Sequence, residues 1–232
     1  MKPVISFPLF IFCYSLIFSS LFSQPTWYWN HPKPAGSVLI SIDYKDLNNG
    51  VAVGEFGLMM YTEDGGLNWV SVPNITNQDI YDVMFVDDNI VVAAGYAGTI
   101  MRSEDGGKSW NLQVSGTTEN LKGIHFGDPD HGVAVGWNGT IVVTDDGGST
   151  WTMQTSGTDY YLESVFFTDM NSGYVVGQTG IILGTTDGGT TWTTQPSNIT
   201  TPLYDVFFTD ANTGFACEIG RASCRERVYC EV

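Results

Sequence analysis

Carboxylates supply most of the reactive side chains in this sequence, so they come first. Aspartates stand side by side at Asp87–Asp88 and Asp145–Asp146, and one aspartate recurs at Asp64, Asp105, Asp146 and Asp187. Two carboxylates a few ångströms apart would serve glycoside hydrolysis. Glu55, Glu163 or the aspartates offer the residue types, but no spacing marks a pair. Calcium would need further oxygen ligands at alternating positions, and the sequence around the four recurring aspartates lacks them. His31, His125 and His131 have neither metal-ligand spacing nor a neighbouring nucleophile motif, and His125 alternates within an apolar run as a packing or surface residue would. No glycine loop has the form that cradles phosphate. The expectation is a chain with no catalytic residue, no metal and no cofactor.

The recurring aspartate belongs to an eight-residue phrase that occurs four times. Its copies are Thr62–Trp69, Ser103–Trp110, Thr144–Trp151 and Thr185–Trp192, and successive tryptophans lie 41 residues apart. Within it, Asp64–Gly65, Asp105–Gly106, Asp146–Gly147 and Asp187–Gly188 form the turn. The aspartate can accept bonds from neighbouring backbone N–H groups, and the glycines take positive φ. The Ser or Thr two residues earlier can add a second bond. Trp69, Trp110, Trp151 and Trp192 each cover a hairpin with a ring that removes roughly 150–250 Å² from water when buried. These twelve residues read as structural.

A second phrase keeps the same step, with Leu39, Ile80, Leu121, Leu162 and Leu203 opening short apolar runs. A period near 40 with several short strands per unit predicts an all-β propeller of four-stranded antiparallel blades. In the third copy the strands are Leu121–Phe126, Val133–Val135, Thr140–Val143 and Trp151–Thr155, with a tight turn over Gly136–Gly139. Four complete blades and part of a fifth are expected over residues 38–217.

In a four-stranded meander, turns 1–2 and 3–4 fall on one face, and turns 2–3 and 4–1 on the other. The Asp-Gly-Gly hairpins therefore oppose the Gly-x-x-Gly turns. The central pairs of the latter vary: Glu55-Phe56, Tyr96-Ala97, Trp137-Asn138 and Gln178-Thr179. A fixed framework with variable tips suits recognition. Phe56, Tyr96, Trp137, Asn138 and Gln178 are the candidate binding residues. The three rings would form a rim that stacks on a sugar or grips a peptide, or else pack on neighbouring turns.

The termini differ from the repeats. Residues 1–23 combine Lys2 with an apolar run from Val4 to Phe22, a secretory signal peptide with cleavage after Ser23. The mature chain would then be secreted, periplasmic or at the cell surface, without stable membrane insertion. Residues 24–37 place Tyr28 at 41 residues before Trp69, as the fourth strand of a blade that clasps the ring. Residues 218–232 have no repeat character: Glu218 replaces the expected glycine, and Ile219–Val228 resembles the translation of a sequencing-library adapter. This tail is expected to be non-native. Between 24 and 218 the basic residues are Lys33, Lys45, Arg102, Lys108 and Lys122, against 23 acidic ones. That balance argues against nucleic acid and anionic lipid as partners. Cys217 alone in this stretch leaves no disulfide framework.

The phrase Ser/Thr-x-Asp-x-Gly-x-x-Trp resembles the Asp-box of sialidases, sortilin-type receptors and secreted propellers. Together with the Gly54–Gly57 turn, Asp169–Gly177, Asp210–Gly214 and the Trp27-Tyr-Trp29 opening, it resembles the photosystem II stability/assembly factor-like (BNR repeat) propellers of the secreted bacterial type. The resemblance spans about residues 27–217 and implies some seven blades in the intact protein, in a non-catalytic binding or assembly scaffold. It implies a protein partner, and the rim adds a glycan as the alternative. Relatives in that family engage their partner through an arginine-bearing surface, whereas Arg102 is the single arginine of this body. Sialidase chemistry would need an arginine cluster for the substrate carboxylate, which the body lacks. A carbohydrate-active Asp-box hydrolase is the alternative function.

Overall fold

The computed structural model describes residues 37–218. The segments read as a signal peptide and, save residue 37, as a clasp strand, together with the tail beyond Glu218, lie outside the described residues. Blade one contains β1 (Leu39–Tyr44), β2 (Gly50–Gly54), β3 (Met59–Thr62) and β4 (Val70–Ser71). Blade two contains β5 (Ile80–Phe85), β6 (Val91–Gly95), β7 (Ile100–Ser103) and β8 (Asn111–Gln113). Blade three contains β9 (Leu121–Phe126), β10 (Gly132–Gly136), β11 (Ile141–Thr144) and β12 (Thr152–Gln154). Blade four contains β13 (Leu162–Phe167), β14 (Gly173–Gly177), β15 (Ile182–Thr185) and β16 (Thr193–Gln195). A two-stranded unit, β17 (Asp205–Asp210) with β18 (Thr213–Cys217), follows. Each complete blade is an antiparallel meander in chain order. This is the expected all-β propeller architecture, with four full blades and part of a fifth.

The second strand of every complete blade is buried at all five positions. In blades two to four it is packed on both faces by neighbouring strands, which is why it reads as an unbroken small apolar run rather than an alternation. The core consists of layers between blades. Val133, Val135 and Ile141 of blade three, for instance, meet Leu162, Val165 and Phe167 of blade four. The first strands lie beside one another from blade to blade, and the fourth strands form the outer sheet edges. On β1, Leu39 is 47% exposed, whereas its equivalent Leu121 is wholly buried. No described blade precedes β1 to cover that face.

Several strand boundaries differ from expectation by a residue or two. The third strand of blade three starts at Ile141 because Thr140 N–H closes the preceding turn onto the Trp137 carbonyl at 3.0 Å. The fourth starts at Thr152 because Trp151 is drawn back over its hairpin, its Nε1–H donating to the Gly148 carbonyl at 3.0 Å. In the last unit, β17 begins at Asp205 rather than Leu203. Elsewhere the strand-opening residue pairs with a glycine, as Leu121 does with Gly136. Glu218 stands at that position here, and a Cβ built on Gly136 would lie 1.8 Å from the Asn120 carbonyl.

Hydrogen bonds also join the blades. Ser41 Oγ donates to Asp82 Oδ1 at 2.9 Å, and Ile124 N–H to Asp82 Oδ2 at 2.9 Å, so Asp82 links three first strands. Two residues further along, Asp43 accepts from Phe85 N–H at 2.7 Å, Met84 Sδ from Phe126 N–H at 3.4 Å, and His125 Nδ1 from Phe167 N–H at 3.2 Å.

Candidate functional site

The turns between second and third strands, and the loops between blades, meet on one face. In each blade the first turn residue donates its N–H to the carbonyl of the residue near the start of the first strand. These bonds are Glu55 to Val38 (2.9 Å), Tyr96 to Asp79 (2.8 Å), Trp137 to Asn120 (2.9 Å) and Gln178 to Tyr161 (2.9 Å). The second turn residue is left-handed although none is glycine: Phe56, Ala97, Asn138 and Thr179 have φ of 56, 53, 54 and 58°. Such a backbone costs a non-glycine residue roughly 1–2 kcal/mol, so neighbouring bonds must hold it. Phe56 N–H donates to Asp79 Oδ1 at 2.9 Å and Ala97 N–H to Asn120 Oδ1 at 2.8 Å, both acceptors coming from the next blade.

This geometry separates the predicted aromatic rim. Tyr96 and Trp137 lead their turns, whereas Phe56 follows Glu55 in the left-handed position. The three rings therefore occupy non-equivalent sites, and no ring contact joins them among the described residues. Phe56 is 62% exposed and Tyr96 45%. Trp137 stays 36% exposed while stacking on Tyr161, with centroids 4.9 Å apart and planes 8° from parallel. Packing on a neighbouring loop thus holds for Trp137, and open presentation for Phe56. Asn138 lies exposed beside Trp137, and Gln178 accepts the Tyr161 N–H through Oε1 at 3.4 Å.

Another row, on the inner strands, does not stand out as a group in the sequence by residue type. Register irregularities displace Tyr81, Lys122 and Glu163, each the second residue of its first strand. Bulges re-aim side chains. Lys122 Nζ sits 3.8 Å from the Tyr81 ring centroid. Burial raises Glu163 above the ordinary carboxylate range, and the nearby Lys122 partly offsets this. A search for displaced residues at the 41-residue step would have grouped these three.

The opposite face carries the Asp-Gly-Gly hairpins. In the third, Thr144 Oγ1 donates to Asp146 Oδ1 (2.9 Å) and accepts Gly148 N–H (3.0 Å). Asp146 also accepts Thr150 N–H at 2.8 Å and the Thr150 hydroxyl at 2.7 Å. Asp64, Asp105 and Asp187 are held the same way by Asn68, Ser109 and Thr191. Gly65, Gly106, Gly147 and Gly188 have φ of 72, 73, 65 and 69°, and each donates its N–H to the 1–2 turn, as Gly147 does to Asp130 at 3.0 Å. Trp110 and Trp151 are buried, while Trp69 and Trp192 are half-buried. Burial pushes the Asp146 carboxyl up, but its hydrogen bonds more than offset this and leave it low. A carboxylate with this many donors is committed to the turn.

Acid–base candidates are few. Asp82 is raised to about 6 by burial, yet its oxygens are already taken by Ser41, Ile124 and Val83. Burial lowers His125 to about 4, leaving a neutral ring that accepts a backbone bond. Among the described residues no three His, Cys, Asp or Glu side chains converge to hold a metal.

The family described as Photosynthesis system II assembly factor YCF48 matches residues 112–202. Over that stretch the repeats are similar to those of photosystem II assembly factors. No curated protein matches the chain. Two solved structures of the photosystem II assembly factor align with it. YCF48 from Cyanidioschyzon merolae is 17% identical over 80% of this chain and 94% of that one, with a TM-score of 0.40. YCF48 bound to D1 peptide is 16% identical over 78% and 74%, with a TM-score of 0.42. An ancestral GH74 enzyme is 19% identical with a TM-score of 0.65, and 82% of this chain covers 29% of that one. At such identity the GH74 likeness is one of fold alone.

Proposed function

We propose that this chain is an exported, non-catalytic propeller that acts as a binding or assembly scaffold and takes a protein partner on its turn face. The observation that carries the reading is a constant backbone with changing tips. Four turns share the same bonds to the first strand, while their leading side chains run Glu55, Tyr96, Trp137 and Gln178. Rigid presentation limits the ordering cost of binding, and exposed rings are the side chains that most often anchor an interface. The assembly-factor character of repeats 112–202 favours a protein over a glycan. Export rests on residues 1–23, and the absence of catalysis on the commitment of Asp82 and the hairpin aspartates to structural bonds.

The test is binding and turnover measured together. The mature chain is immobilised and exposed to extracts of its source cells and to a glycan panel, with release of reducing sugar followed in parallel. Saturable binding of a protein, lost in Trp137→Ala and retained in Leu67→Ala on the opposite face, supports the scaffold. Turnover abolished by Glu163→Gln would overturn it in favour of a carbohydrate-active enzyme.

A further inference from the structure

A step of 41 residues compares one position across successive blades. Near the end of the third strand that position holds Tyr61, then Arg102, then Val143; two residues later come Glu63, Glu104 and Asp145. Between blades two and three, Arg102 Nε donates to the Gly147 carbonyl of the next hairpin at 2.8 Å, and its Nη1 pairs with Glu104. Between blades one and two the cation comes from the hairpin instead. Lys108 pairs with Glu63 at 2.6 Å, its ammonium 5.8 Å from the Tyr61 ring centroid. Both carboxylates thus hold a cation against the following blade.

The junction between blades three and four has the receptor without the cation. Val143 stands in place of the arginine and Thr190 in place of the lysine. Among the described residues no cation reaches Asp145, and no donor reaches the Gly188 carbonyl, the counterpart of Gly147. A cleft of ≈ 390 Å³ lies there, lined by Val143, Asp145, Gly188, Thr190, Met170 and His131 among others. We propose that this cleft binds an arginine side chain of a protein partner. The Asp145 carboxylate and Gly188 carbonyl take the guanidinium, as Glu104 and Gly147 take that of Arg102, and Val143 and Met170 line its stem. A planar fork can meet a carboxylate and a carbonyl together and is more weakly hydrated than an ammonium, so arginine is preferred to lysine. The acidic surface concentrates such a partner. The site is on the hairpin face and does not depend on the turn-face reading.

The full chain, isotopically labelled, is titrated with N-acetyl-arginine methylamide and with the lysine and norleucine analogues, and backbone amide signals are followed. The arginine probe is expected to shift Gly188 and Thr190 with about millimolar affinity, weakened about tenfold in Asp145→Asn. Val143→Arg supplies the side chain from within and removes the response. Arg102→Val opens the equivalent cleft, so Gly147 begins to respond. Should either of these two variants misfold, Asp145→Asn remains decisive. Shifts equal for the norleucine or lysine analogue, shifts unchanged in Asp145→Asn, or none at the solubility limit would each overturn the assignment.

Discussion

Ser41 donates its hydroxyl proton to Asp82 across 2.9 Å, joining the first strands of two blades through residues 41 positions apart. The same carboxylate accepts Ile124 N–H from a third blade, so one buried acid bridges three repeats.

That position makes stability sensitive to pH. Burial raises Asp82 from 3.8 to about 6, so the folded state keeps a proton that the unfolded chain releases between those values. The contribution is full below pH 4 and is lost as pH rises through 6, a change of up to about 3 kcal/mol. Denaturant melts of Asp82→Asn and the parent should therefore diverge in favour of the variant from pH 4 to pH 7. Parallel curves would refute the raised pKa.

His125 acts in the opposite sense. Its ring is lowered from 6.5 to about 4 by burial, so the unfolded chain binds the extra proton. Stability is full above pH 6.5 and falls by up to about 3 kcal/mol as pH drops to 4. His125→Gln keeps an acceptor for Phe167 N–H and should flatten that part of the acid limb in the same melts.

The hairpin aspartates report on turn energetics. Removing Asp146 leaves Thr150 N–H without its acceptor and Thr144 without its carboxylate. Asp146→Ala is expected to cost about 1–3 kcal/mol at neutral pH, measured by urea unfolding. Because its carboxyl is held low, that cost should shrink as pH falls below the ordinary aspartate range and the carboxylate is protonated.

Left-handed turn residues predict a gain. Ala97 has φ 53°, so Ala97→Gly should stabilise by about 0.5–1 kcal/mol. Gly136→Ala should do the reverse by at least about 2 kcal/mol, since its Cβ would meet the Asn120 carbonyl at 1.8 Å. Thermal melts of both variants give the signs directly.

The architecture was legible because Leu121, Gly136, Asp146 and Trp151 recur at one period, and each does the same local work in every copy. The candidate surface was less so. The sequence shows that Phe56 and Trp137 both lie in Gly-x-x-Gly turns, but not that one residue of offset sends the chain left-handed at Phe56 and leaves Trp137 to lead. The blade junctions were hidden for another reason. Asp82 and His125 bond to residues 42 positions ahead, and the partner is a backbone N–H, which any residue other than proline supplies. Val143 looked like one more strand residue, and only its place beside Asp145 and Gly188 shows what it leaves open.

The 2–3 turns are closed by main-chain bonds at their first residue, so the leading side chain adds only local contacts, as Trp137 and Gln178 do with Tyr161. Glutamate, tyrosine, tryptophan and glutamine already occupy that position in one chain without changing the loop. Positions 55, 96, 137 and 178 can therefore be diversified together, giving a naturally tolerant display library for selecting new binders on an unaltered frame.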